Sequence, residues 1–249
     1  MRAERLKKLM RAAIPPVFWL GVWQLAAFLV RRELLLPGPL AVAKALCALA
    51  ATGDFWLSAL MTLARVFLGL AWGTGAGVLL AFLTHFSRWA SALLSPAVKV
   101  VRATPVVSFI LLVYLWVARA AIPAVIAGLM VLPVIWGNMT AGLAAVDPQL
   151  LELAVAYRFS RLKTLRLVYL PSLRGHFTSG LLTAFGLAWK SGVAAGVICP
   201  PALAVGSRLQ AARLALETPD LFAWTLVIIA LSLALERLLR LLLERGERI

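Results

Sequence analysis

Apolar positions in this chain run on in blocks rather than recurring at a short interval. Uncharged stretches extend from Ala12 to Val30, Val66 to Thr84, Ala103 to Ala118, Ala120 to Val146 and Leu221 to Leu235. A sixth, Phe177 to Ser207, is broken only by Lys190. A helix rises about 1.5 Å per residue, so roughly 20 residues cross a hydrocarbon layer. Six spans are predicted, near 13–31, 58–83, 94–118, 121–144, 176–198 and 221–243, with Arg or Lys completing the shorter runs at their ends. The expected fold class is an all-α integral membrane protein. It has a basic N-terminus at 1–12, one transmembrane domain at 13–243 and a short tail at 244–249.

Composition supports the same solvent. With 63% hydrophobic and 14% charged residues, a soluble chain of 249 would carry more apolar surface than one core can hide. The formal charge of +15 is distributed by side. Counting along the six-span ladder, 17 Lys and Arg fall on the side of the two termini and only six (Arg31, Arg32, Lys44, Arg119, Arg208 and Arg213) on the other. Basic residues resist translocation, so both termini are predicted cytoplasmic. That pattern accounts for the charge, and no nucleic-acid-binding motif is interleaved with it. The first apolar stretch is longer than a signal-peptide core and lacks an A-x-A site before Arg31, so a retained span is expected. Cys47 and Cys199 fall near the outer face; unpaired thiols are the default, with a disulfide the alternative.

One polar island interrupts the apolar blocks, Asp147 to His176, carrying Arg158, Arg161, Lys163, Arg166 and Arg174. Asp147 offers an N-cap side chain and Pro148 suits a first helical position, where its missing N–H costs nothing. Ser160 can cap a second helix, with Leu162, Leu165 and Val168 or Tyr169 at helical spacing and Pro171 as its expected end. A loop of this length argues for a task, because idle connections are shorter.

Glu152-Leu153-Ala154, followed at fixed spacing by Val168-Tyr169-Leu170-Pro171, resembles the "EAA" loop of bacterial ABC importer permeases, whose pattern is E-A-A, three residues, G, nine residues, I-x-L-P. Arg65 with Gly69, Arg102-Ala103-Thr104-Pro105 and Asp147-Pro148 are similar to the branch of that superfamily associated with nitrate, sulfonate, taurine and pyrimidine-precursor uptake. The resemblance implies a type I importer permease in the bacterial cytoplasmic membrane. Its cytoplasmic coupling loop would be 147–175, with Glu152, Leu153, Ala154, Ala156, Tyr157, Arg158 and Ser160 placed to meet the ATPase. It implies as partners two copies of an ABC ATP-binding subunit, a second copy of the permease and an extracytoplasmic solute-binding protein. ATP and Mg would be held by the ATPase subunits and no cofactor by this chain. Two positions depart from the pattern. Arg158 stands where the family has glycine, so a differently shaped turn is expected. Leu153 replaces the middle alanine, as a knob for an apolar socket or as packing on the second island helix.

Within the spans, Gly69, Gly73 and Gly77, and again Gly192 and Gly196, form small-xxx-small stripes that predict close helix crossings. The run Gly73 to Gly77 lacks the Lys-Ser/Thr of a phosphate-binding loop, and no Walker A sequence occurs. Energy must come from another subunit. Arg65 and Lys190 are the cations inside apolar spans, and no carboxylate lies in a span core. Lys190, flanked by Trp189 and Ser191, has two readings: a path residue attracting an anion, or a snorkelling side chain. Arg65 has the same path reading, beside a structural contact to carbonyls. The lack of intramembrane carboxylates weighs against an ion-coupled carrier, and His85 and His176 form no metal or nucleophile constellation, which weighs against an intramembrane enzyme. No catalytic or metal site is expected. The outer segments Leu40 to Ala51 and Pro200 to Asp220 are candidates for meeting the binding protein.

Overall fold

The computed structural model describes the backbone of residues 2–247 and the side chains of residues 14–243. The side chains of the basic N-terminus at 1–12 and of the tail at 244–249 lie outside the described residues. Helices follow one another throughout: α1 (Arg2–Val30), α2 (Pro39–Ala50), α3 (Gly53–Phe86), α4 (Arg88–Ala103), α5 (Val106–Val113) and α6 (Ile122–Ala144). They continue with α7 (Pro148–Ala156), α8 (Arg161–Ile198), α9 (Val205–Leu214) and α10 (Thr218–Glu247).

Three of these form the centre. The faces of α3, α6 and α8 bury Val66, Leu70, Val131, Ile135, Phe185 and Trp189 against one another. The glycine stripes lie where the helices approach most closely. A Cβ on Gly69 would sit 2.5 Å from the carbonyl oxygen of Ala124, and one on Gly77 would sit 2.8 Å from that of Leu132. Gly192 carries the same function between α8 and α3, with Val66 at 2.9 Å from its absent side chain, and Gly196 faces Gly206 of α9. Close approach replaces the hydrophobic drive that a lipid solvent does not supply. The outward surface is apolar: Phe18, Trp19 and Leu29 of α1 are all more than half exposed. α1 joins the rest through Trp23, whose indole N–H donates to the Pro37 carbonyl at 3.0 Å and whose ring stacks on Phe222.

Among the described residues, three helices are long and apolar enough to cross a membrane: α3, α6 and α8. The single span expected at 94–118 is corrected by the structure. It is α4 and α5, bent by 106°. Pro105 has no N–H to continue the helical ladder and bars the α region to the residue before it, so Thr104 is extended at φ −80° and ψ 131°. A second correction concerns Pro171, which does not end a helix. α8 runs for 38 residues from Arg161 to Ile198. It passes the proline by a π turn at Leu165–Tyr169, where the Leu170 N–H donates to the Leu165 carbonyl and the wider winding makes room for the proline ring.

Candidate functional site

The polar island folds as a hairpin of α7 and the start of α8. The Asp147 carboxylate accepts from the Gln149 N–H at 2.8 Å, and the Ser160 hydroxyl accepts from the Lys163 N–H at 3.3 Å, so both expected caps are present. Between the two helices the chain turns on Arg158. Its φ of 50° is the left-handed conformation that a glycine adopts without cost, so the turn keeps the shape glycine would give it, against the sequence expectation. Two bonds close this turn: Phe159 N–H to the Ala154 carbonyl at 2.8 Å, and Arg158 N–H to the Val155 carbonyl at 3.0 Å. That pairing is a Schellman cap, and it satisfies the carbonyls left over at the end of α7. The Lys163 ammonium lies 4.1 Å from the centre of the Phe159 ring and covers it.

The hairpin has its own small core of Val146, Ala154 and Val168, with Leu151, Phe159 and Tyr169 packed around it. Of the E-A-A triplet only Ala154 is buried. Leu153 is 52% exposed, so it does not pack on the second helix, and Glu152 beside it is also exposed. Leu150, Val155, Tyr157 and Leu162 are exposed as well, as are Ala156, Arg158 and Ser160. The tip of the hairpin thus displays apolar side chains among Arg and Glu, more apolar surface than a solvated loop usually exposes.

The intramembrane candidates separate. Trp189 and Ser191 are buried at 2% and 6% exposure, and the Ser191 hydroxyl donates to the Leu187 carbonyl within its own helix. Lys190 alone of that trio is exposed, and among the described residues it has no ion pair or hydrogen bond. Arg65 has the carbonyl contacts. Its guanidinium donates to Ala120 at 3.1 Å, Leu203 at 2.9 Å and Ala202 at 3.0 Å, tying α3 to the connections before α6 and after α8. Neighbouring turns of α3 reinforce that tie: the Thr62 hydroxyl accepts from the Val205 N–H, and Asp54 pairs with Arg208 at 2.7 Å.

One feature escaped the sequence reading. An open groove of about 630 Å³ runs between α4, α6 and the middle of α8. Its polar lining is Arg102, Asn138 and Thr183, and the remainder is apolar, including Val101, Met130 and Leu187. Three segments far apart in the chain build it, so no local motif announces it.

A family model described as the binding-protein-dependent transport system inner membrane component matches residues 73–247. The chain belongs to that family. Relatives of this permease include a probable ABC transporter permease protein of Haemophilus influenzae, 28% identical and covering 94% of each chain. Putative aliphatic sulfonates transport permease proteins of Escherichia coli and Bacillus subtilis are 29% and 23% identical, over 92% and 94% of this chain and 88% and 85% of theirs. The solved structure of an amino acid ABC transporter with histidines shares its fold, with a TM-score of 0.62 at 20% identity over 76% of this chain and 90% of that one. The permease is thus an all-α, multi-pass membrane subunit of the type I importer kind. It contributes transport without an ATPase site of its own and works with an ATP-binding subunit and a substrate-binding protein.

Proposed function

We propose that two copies of this permease form the translocation path of an importer for small organic anions, aliphatic sulfonates being the favoured class, and that two ATP-binding subunits drive it by alternating access. The observation that carries this reading is the inner hairpin. Its Schellman-capped turn presents Leu153, Tyr157 and Glu152 outward at the end of α7, in the form of a lever for an ATPase groove. ATP and Mg belong to those partner subunits. The bias of basic residues toward the hairpin side supports placing both termini and the hairpin in the cytoplasm. Sulfonate as the solute class is supported by the names of two relatives and by the lack of carboxylates in α6, in α8 and in α3 beyond its first turn.

As the ATPase closes on nucleotide, α7 moves with it, the two halves of the path tilt, and the cavity opens toward the binding protein; hydrolysis resets it. Lys190 is the cation proposed to attract the anion at the other end of the groove-bearing face of α8. Leu153→Asp places a charge on the apolar contact and is expected to abolish co-purification of the ATP-binding subunit while the permease remains folded. Retention of that subunit at wild-type stoichiometry refutes the lever. Lys190→Ala is expected to lower transport of anionic solutes selectively, and unchanged selectivity refutes that role.

A further inference from the structure

We infer that the groove between α4, α6 and α8 is a binding station for the anionic head and alkyl tail of the solute, with Arg102 as the residue that reads the charge. This rests on the proposed import of organic anions and assigns it a place and a residue. Arg102 closes α4 just before the break at Thr104 and Pro105, so the 106° bend sets where its guanidinium stands. Among the described residues it has neither a hydrogen bond nor a carboxylate partner, and α4, α5, α6 and α8 contain no Asp or Glu at all. A guanidinium facing a groove walled by acid-free helices keeps its full attraction for an anion, and its planar fork matches the oxygens of a sulfonate.

The rest of the lining suits the remainder of such a molecule. Asn138 commits one N–H to the Val134 carbonyl at 2.9 Å and retains a second donor for the head group. The Thr183 hydroxyl donates to Ser179 within α8 and offers the groove only an acceptor, which leaves Arg102 and Asn138 as the anion donors. Val101, Met130 and Leu187 supply the apolar wall for a short alkyl chain. The Cα of Gly137 borders empty space, with nothing within 4 Å of where a Cβ would stand. The groove lies beside the hairpin half of α6, with Asn138 and Ala141 near its end at Ala144, so the station is on the release side of the path.

The test uses the whole transporter in proteoliposomes, permease with its ATP-binding subunit and binding protein, with propanesulfonate as probe and moles transported per ATP hydrolysed as readout. Arg102→Gln is expected to lower that ratio about tenfold, the loss of a charge-assisted contact. Arg102→Lys, which keeps the charge but not the fork, should restore part of it, and Arg88→Gln, on the same helix outside the groove, should match wild type. Gly137→Leu, which fills the groove without touching a charge, should lower the ratio as well. A wild-type ratio in Arg102→Gln, or an equal loss in Arg102→Lys, overturns the assignment. If the wild-type transporter moves neutral solutes and no sulfonate, the assignment falls together with the anion reading, and the unaltered protein distinguishes that outcome.

Discussion

A methyl group placed on Gly73 of α3 would lie 2.5 Å from the carbonyl oxygen of Gly128 in α6 and 2.8 Å from its Cα. The two backbones meet with no side chain between them, and the indole of Trp72 lies over Gly128 from the side, its N–H donating to the Ala124 carbonyl at 3.1 Å. Gly73→Leu is therefore expected to destabilise the permease by about 1–3 kcal/mol or to prevent α3 from docking. Gly75→Ala, two residues away with nothing within 4 Å, should be neutral or slightly stabilising. Thermal melting in detergent separates the two. Equal midpoints contradict the contact.

Arg158 occupies a left-handed turn that any residue with a Cβ enters at a cost of about 1 kcal/mol. Arg158→Gly is expected to keep the hairpin and its proposed ATPase contact, with a stability change within about 1 kcal/mol. Arg158→Val, branched at Cβ, should open the Schellman cap and lower ATP-driven transport. Transport rates at matched protein level test this, and indifference to valine would show that the cap does not shape the lever.

Three carbonyls converge on the Arg65 guanidinium from two connections that, among the described residues, no other charged group of α3 reaches. Arg65→Ala leaves them without their donor and is expected to cost about 2 kcal/mol or more. Arg65→Lys, with one point charge for a fork, should recover only part. Melting midpoints ordered wild type, lysine, alanine check the clamp, and a midpoint for alanine equal to wild type rules it out.

Cys47 is exposed on α2, whereas Cys199 at the end of α8 is only 4% exposed, and both thiols are free. A membrane-impermeant maleimide added from outside should label Cys47 in intact cells and leave Cys199 unmodified until the protein is denatured. Labelling of Cys199 in the folded protein, or of Cys47 only after lysis, would contradict the fold or the orientation respectively.

Local chemistry was legible in the sequence and long-range assembly was not. Asp147 and Ser160 could be read as caps because a cap is decided within three residues, and both accept the bonds they were expected to accept. The glycine stripes could be read because their spacing is helical. The break at Thr104 is invisible to hydropathy, which stays high across it, and only the geometry imposed by Pro105 reveals the bend. Pro171 reads as a stop in the sequence because proline usually is one, but a π turn admits it. Arg158 was expected to distort a turn that instead keeps the glycine geometry. The Arg102 groove needed three helices to be brought together before it existed at all.

Because α8 is unbroken from Arg161 to Ile198, the hairpin's second arm and the membrane-crossing segment are one rod about 57 Å long. Its far end rests on α9 at the Gly196 and Gly206 contact. A tilt imposed beside Ser160 has a single shaft, with no linker, to travel along to that contact. The π turn at Leu165–Tyr169 is where the winding of that shaft loosens, so on the proposed lever reading it is there, and not at a linker, that a stroke would be taken up or passed on.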